Sequence, residues 1–336
     1  MATEQRHRGV PETEADAQPP GCICTDLVAV TERSAMAAGR LLGKGDGPAA
    51  DEAASAATVA ALGSLPVSGT IVIGRHEQGH PLEVGTELGR GGRPLDLALD
   101  PVEGPAVVAR GGVGALSILA AGDPACMAAM PRMYMKKMAV GPVAKGRIDL
   151  RRPVRQNLEA IAEAFGREVA DITAIVLDRP RHDDLIAEIR EAGARIKVIA
   201  DGDITATIDA AIRGTNDHIA VGIGGAFQGV ISAAALKCLG GELQGQLWPL
   251  SRSEIRAAHE AGIDDVERIF GVDDLVSGEV MVVGTGISNG DLLRGVRYFA
   301  GGARTHSIVL CSTCNRVRFI DTIHLFTRDR HEEIRL

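Results

Sequence analysis

The chain has 336 residues, 45% of them hydrophobic and 24% charged, enough for two domains or one two-lobed body with a sizeable core. Aromatic residues make up 3% and the net charge is −8, which argues against nucleic acid as a partner: neither a stacking platform nor a basic surface is on offer. Apolar runs are cut, by Arg110 and Asp123 among others, before they reach bilayer length, so no membrane partner is expected.

The opening MATEQRHRGVPETEADAQPPG has no apolar stretch of the kind a signal peptide needs, which points to a cytoplasmic protein. Its polar, Pro-containing composition predicts a disordered tail over residues 1–21. Residues 22–153 then read as an N-terminal α/β lobe and 154–336 as a C-terminal α/β lobe.

The first lobe alternates helices and strands. TDLVAVTERSAMAAGRLLG (25–43) has apolar residues at helical spacing, with Thr25 as its predicted N-cap. After the loop GKGDGPAAD, Asp51 opens an Ala-rich helix, where an acidic residue by itself reads as a cap or dipole partner. GTIVIG (69–74), LDLALD (95–100) and GALSILAAGD (114–123) read as strands.

The stretch LALDPVEGPAVVARGG (97–112) places two carboxylates, Asp100 and Glu103, on a tight turn after a strand. A hard, oxygen-binding cation needs that kind of donor pair. A phosphate-transfer site would next need a hydroxyl or a free backbone N–H, and Pro105 supplies neither.

The second lobe has a cleaner rhythm. Strands TAIVLD (173–178), IKVIAD (196–201) and HIAVGIGG (218–225) alternate with helices DDLIAEIREAG and TATIDAAIRG, which predicts a parallel sheet. Ligands sit at the carboxyl ends of such strands. The three loops there offer Arg179 and Arg181, Asp201 and Asp203, and a glycine turn with Gly225 and Gln228, together an anion pocket beside hydroxyl-binding carboxylates. The chain closes with the strand VMVVGTGI, a short helix DLLRG (291–295) and a strand–turn–strand ending near Phe326.

Six cysteines in a chain of this length do not make a disulfide scaffold. Cys22-x-Cys24 and Cys311-x-x-Cys314 have the sulfurs for a zinc site, yet the pairs are far apart in sequence and the first is tightly spaced, so reduced thiols are the expectation.

The ordered motifs VTERSAMAAGRLLGKGD, IVIG, DLALDPVEG, MYMKK, RPRHD, DGDI, GIGGAFQGVISAAAL and GTGISNGDLL resemble the class II fructose-1,6-bisphosphatases, bacterial members of the lithium-sensitive, metal-dependent sugar phosphatases. The resemblance runs from about Asp26 to the C-terminus. It implies a layered α/β/α/β/α sugar-phosphatase fold with two lobes, a homo-oligomer (dimer or tetramer), and hydrolysis of the 1-phosphate of fructose-1,6-bisphosphate, a phosphorylated sugar, with Mg or Mn. Some relatives also accept sedoheptulose-1,7-bisphosphate.

Carried over position by position, the resemblance makes Asp51, Asp100 and Glu103 metal ligands, with Asp100 and Glu103 also in the catalytic set. It places Arg179 and Arg181 on the distal phosphate, and Tyr134, Asp201, Asp203 and Gly225 on sugar or phosphate.

The reactive end departs from the pattern. The family reads Gly-Glu-Gly-Glu after its IVIG strand, where this chain has Gly74-Arg75-His76-Glu77. A further ligand Glu is Gln228, the Thr-Arg after the acidic motif is Pro105-Ala106, and the Glu of Tyr-Met-Glu-Lys is Lys136. His76, Glu77 and His80 of RHEQGH offer acid/base groups and donors for a softer divalent metal; equally, Arg75 and the histidines contact a phosphate or each other. Three functions follow as expectations: a metal-dependent phosphosugar hydrolase with a changed substrate, a non-hydrolytic sugar-phosphate enzyme, or an inactive phosphosugar-binding relative.

Overall fold

The structure, a computed structural model, describes residues 22–75 and 77–326; the expected tail (1–21) and His76 lie outside the described residues. In chain order come α1 (Val28–Gly39), α2 (Gly47–Leu62), β1 (Val67–Ile73), β2 (Glu87–Leu88), β3 (Arg93–Glu103), α3 (Pro105–Arg110) and β4 (Leu116–Gly122). The middle supplies β5 (Tyr134–Val140), α4 (Val154–Phe165), β6 (Thr173–Leu177), α5 (Asp183–Glu191), β7 (Arg195–Ile199), α6 (Asp203–Ala211), β8 (Ile219–Gly225) and α7 (Ala226–Leu239). It continues through β9 (Glu242–Trp248), α8 (Arg252–Glu260), β10 (Ile269–Phe270) and α9 (Val272–Leu275). The last strands are β11 (Val280–Gly286), β12 (Arg297–Phe299), β13 (Gly302–Cys311) and β14 (Arg316–Leu325).

Two mixed sheets result, one ordered β12-β13-β11-β4-β3-β1-β2 with β14 on β13, the other β10-β9-β5-β8-β6-β7. The strands do not sort at residue 153: β5 joins the second sheet, and β11 to β14 return to the first.

Period-two alternation explains the layering. In β4, Ile118 and Ala120 enter the core shared with α6, α7 and the second sheet, while Leu119 and Ala121 face Leu27, Val28 and Leu62 of the outer helix layer. In the second sheet, Met135 and Ala139 face that shared core, whereas Met138 and Val140 pack with Leu158, Ile161, Ile186 and Ile189 of α4 and α5. α6 and α7 therefore lie between the sheets and are apolar on most sides, as a middle layer must be. The order is α/β/α/β/α. No helix among the described residues is long and apolar enough to cross a membrane.

Four local expectations change. α1 begins after Leu27, not Thr25, because residues 23–28 form a turn in which Val28 N–H donates to the Thr25 carbonyl at 3.3 Å. α2 starts at Gly47, capped by Asp46, whose side chain accepts from Ala49 N–H at 2.9 Å, with Pro48 in the first turn; Asp51 is thus one turn inside the helix. The parallel sheet is present as β7-β6-β8, and β5, β9 and β10 extend it antiparallel.

Residues 291–295 form no helix. Gly290 N–H instead donates to Leu293 O at 2.8 Å, and Gly295 N–H to Asn289 Oδ1 at 3.0 Å, closing a loop that buries Leu292 and Leu293. Four residues between Gly290 and Gly295 gain too few helical bonds to offset nucleation.

Candidate active site

Asp100 and Glu103 sit within β3 rather than on a turn beyond it. The register against β4 shifts between them, and Pro101, which cannot donate to a ladder, occupies the irregularity. The break sends the two carboxylates to different places. Glu103 is buried and accepts from Ile204 N–H at 2.6 Å, Thr205 N–H at 3.3 Å and Thr205 Oγ1 at 2.7 Å, so it holds the N-terminus of α6. An anion there meets unsatisfied N–H groups and the positive end of the helix. Burial, with Asp203 and Asp100 nearby, still holds the Glu103 carboxyl well above the usual carboxylate range.

Asp100 faces a cavity of about 390 Å³ between the sheets, which Arg75, Tyr134 and Gln228 also line. Burial raises its carboxyl to about 6, against the opposing effect of a hydrogen bond donated by Gln228 Nε2 at 3.2 Å. Gln228 belongs to the first turn of α7, so both middle-layer helices begin at the site. Gly104, with φ 89°, makes the sharp exit from β3, and Pro105 opens α3, where a missing N–H costs nothing to the helix.

On the other wall, the Arg75 guanidinium is ion-paired with Asp51. Burial pushes the Asp51 carboxyl up, and Arg75 pulls it partly back. Glu77 is exposed and 3.5 Å from Arg132 across the cavity mouth. His80 Nδ1 accepts from Leu82 N–H at 3.0 Å and so serves its own loop.

The second sheet contributes the basic side. Arg181 lies 4.8 Å from the centre of the Tyr134 ring, and its Nε and Nη2 donate to Ile223 O at 3.1 and 2.7 Å. Arg179 donates to Asp178 O and Ala200 O at 2.8 and 2.7 Å and lies 3.6 Å from Asp201. Asp203 is ion-paired with buried Lys137, which also donates to Gly225 O at 2.9 Å. A Cβ at Gly224 would run into the Asp203 carboxylate, so glycine lets β8 pass close beside this ion pair without displacing it.

The structure therefore brings Asp100, Gln228, Arg75, Tyr134, Gly225 and Glu77 around one cavity, with Asp51 behind Arg75. Glu103 and Asp203 brace the start of α6, and Arg179, Arg181 and Asp201 lie on the adjoining strand ends. Lys136 is not at the cleft: its Nζ sits 4.0 Å over the Trp248 ring, because β5 alternates and turns Lys137, not Lys136, inward.

Lys137 was the residue missed by sequence reasoning; strand alternation through MYMKK was the available signal. His182 was missed too. It is buried, Nε2 accepts from Ile223 N–H at 2.8 Å, and Nδ1 is 2.8 Å from Leu177 O, which fixes the loop carrying both arginines. With Nε2 accepting, the proton belongs on Nδ1.

The donors suit a hard divalent cation in kind, since Asp51, Asp100 and Glu103 present only oxygen. Burial raises the Asp100 carboxyl most, Asp51 and Asp203 nearby add to the rise, and a cation would relieve that excess of negative charge. The charge is nonetheless reduced: Arg75 engages Asp51, and Gln228 engages Asp100. Among the described residues, Asp51, Asp100 and Glu103 are not among the acidic, cysteine or histidine clusters whose ligand atoms lie within 4.8 Å of one another.

A middle helix layer between two mixed sheets, with a cavity at the helix starts that Asp100 lines, is the architecture of a layered α/β sugar phosphatase. The sequence pattern described as "Bacterial fructose-1,6-bisphosphatase, glpX-encoded" matches residues 22–324. The chain belongs to that family.

Similar proteins include one from Synechococcus sp. (strain JA-3-3Ab), named "D-fructose 1,6-bisphosphatase class 2/sedoheptulose 1,7-bisphosphatase", 43% identical over 328 residues covering 89% of this chain and 94% of that protein. Proteins of the same name from Synechococcus elongatus and Thermosynechococcus vestitus are 40% and 39% identical, each covering 90% of this chain and 96% of their own length.

Proposed function

We propose that this chain is a divergent member of its family, hydrolysing a phosphate ester of a phosphorylated sugar other than the bisphosphate substrates its relatives are named for. The observation that carries the reading is the pairing of substituted with retained positions: Arg75 engages Asp51, and Gln228 donates to Asp100. The residues that differ from the family's carboxylates are thus wired into those that remain, which is what a rebuilt site requires and simple decay does not supply.

Arg179 and Arg181, held by backbone carbonyls with guanidinium donors to spare, bind the unreacted phosphate, and Tyr134 packs under Arg181 against the sugar. Asp201 accepts from sugar hydroxyls. Asp100, ionised above about pH 6, takes the proton of the attacking water at the cavity floor. Glu103 positions α6 for this end of the site, and Glu77 at the mouth serves the leaving group, with His76 beside it in sequence as a second acid/base group.

Mg or Mn, held by Asp100 with Asp51, would polarise the phosphoryl group when bound, while Glu103 stays with α6. Arg75 supplies part of the positive charge from the protein itself. The exposed apolar face of edge strand β14 (Val317, Phe319, Ile323 and Leu325) supports a homo-oligomer.

Restoring the family residues tests the reading. Arg75→Glu, Gln228→Glu and Pro105→Thr combined are expected to raise Mg-dependent phosphate release from fructose-1,6-bisphosphate on the order of 10- to 1,000-fold. A wild-type chain that already matches the restored variant would overturn the changed-substrate reading. Conversion of a phosphosugar without phosphate release would favour a non-hydrolytic enzyme, and binding without turnover an inactive relative.

A further inference from the structure

Cys22 and Cys24 precede α1, Cys311 ends β13, and Cys314 lies in the turn before β14, yet the four sulfurs meet. Cys22 Sγ is 3.7 Å from Cys311 Sγ and 3.2 Å from Cys314 Sγ, and Cys24 Sγ is 3.9 Å from Cys314 Sγ. All four lie within 4.8 Å of one another, although the segments are 289 residues apart from Cys22 to Cys311. We propose that Cys22, Cys24, Cys311 and Cys314 form a structural zinc site that fastens the N-terminal segment to the β13–β14 hairpin.

The geometry argues for a metal. Four thiolates around a tetrahedral zinc, each at about 2.3 Å, stand about 3.8 Å apart; Cys22–Cys311 at 3.7 Å and Cys24–Cys314 at 3.9 Å have that spacing, Cys22–Cys314 at 3.2 Å is closer, and all four sulfurs lie within 4.8 Å of one another. Cys24 and Cys311 are buried and Cys22 and Cys314 half-buried, which closes the site on one side and leaves a route for the ion on the other.

The surroundings match the needs of a thiolate centre. Cys314 N–H is 3.3 Å from Cys311 Sγ, the backbone-to-sulfur bond that a CxxC turn offers a metal-bound thiolate. Arg318 Nη1 lies 3.7 Å from Cys24 Sγ and offsets the negative charge that four thiolates bring to one divalent cation. Four protein ligands leave no open position, so the role is structural rather than catalytic. The clamp holds the start of α1 against the same sheet whose β3 carries Asp100 and Glu103. The expectation of reduced thiols rested on sequence separation and on the tight Cys22-x-Cys24 spacing; the β13–β14 hairpin and the approach to α1 remove the first ground, and both sulfurs of the tight pair still reach Cys314.

Zinc content of the full-length protein, purified in zinc-containing medium without strong chelators, tests this. About one zinc per chain is expected, coordinated by four sulfurs in X-ray absorption, and replacement by Co(II) should give the intense bands of a tetrahedral thiolate site. Cys311→Ser with Cys314→Ser should lose that zinc, whereas Cys126→Ser, outside the cluster, should keep it. The Co(II) spectrum of the unaltered chain decides the matter even if the double variant does not fold. Absence of zinc, zinc bound through oxygen or nitrogen, or a non-reducing mass lowered by one or two disulfides would each overturn the proposal.

Discussion

Replacing Arg75 by Met removes the positive partner of Asp51 and leaves the bulk of the side chain. At about 4 Å and an effective dielectric near 20, the attraction of such a pair is about 4 kcal/mol before desolvation is subtracted. The two side chains keep 32% and 19% of their exposure, between the surface pairs worth about 0–1 kcal/mol and the buried ones whose breakage costs about 3–5 kcal/mol. Arg75→Met should therefore cost about 1–3 kcal/mol in urea unfolding at pH 7 without added Mg or Mn.

The cost should shrink in acid. Burial already raises the Asp51 carboxyl, and losing Arg75 raises it further, so protonation relieves the isolated charge. Asp51→Asn in the Arg75→Met background should recover most of the loss, giving a coupling energy of about 1–3 kcal/mol. Added Mg should stabilise Arg75→Met more than the wild type, because Asp51 then becomes available to a cation. Additive single costs, or equal stabilisation by Mg in both proteins, would refute the claim that Arg75 stands in for cation charge.

Arg179→Ala should weaken phosphosugar binding about 10- to 100-fold by calorimetry, the value of a charge-assisted hydrogen bond at a half-buried site; unchanged affinity would remove it from the phosphate site. Asp100 is pushed up to about 6, above its unfolded value, so its contribution to stability is greatest at acid pH and is lost as pH rises through about 6. Asp100→Asn should accordingly stabilise the protein at pH 8 by about 1–3 kcal/mol while abolishing turnover, and wild-type turnover should fall as pH drops below about 6. Lys137→Met, which leaves the half-buried Asp203 without its cation, should cost about 2–4 kcal/mol in urea unfolding; a loss under about 1 kcal/mol would show that the pair is not formed.

Much of the fold was legible because apolar periodicity records which face each element buries. The alternation of TAIVLD, IKVIAD and HIAVGIGG correctly announced parallel strands with their loops at one edge. The end strands were not assignable to a sheet, because a strand's sequence shows that a face is buried but not against which layer. Thr25 and Asp51 looked like helix starts since local cap chemistry favours them, but the turn at residues 23–28 and Pro48 decided otherwise.

At the site, the sequence named the residue types while their hydrogen-bond partners came only from three dimensions. Glu103 reads as a ligand beside Asp100, yet it braces α6 across a register break that no spacing reveals. Lys136 and Lys137 are adjacent in sequence and point to opposite faces, so the departure at Lys136 changes the Trp248 side of the sheet and not the cavity. The four cysteines are the plainest case: long-range convergence leaves no mark in local spacing.

The central claim is a phosphosugar hydrolase with a changed substrate, and ³¹P NMR of the purified protein with a panel of sugar mono- and bisphosphates, with and without Mg or Mn, tests it most directly. The account predicts metal-stimulated release of inorganic phosphate from at least one panel member, faster than from fructose-1,6-bisphosphate. Fructose-1,6-bisphosphate as the fastest substrate, or no phosphate released from any of them, would contradict it.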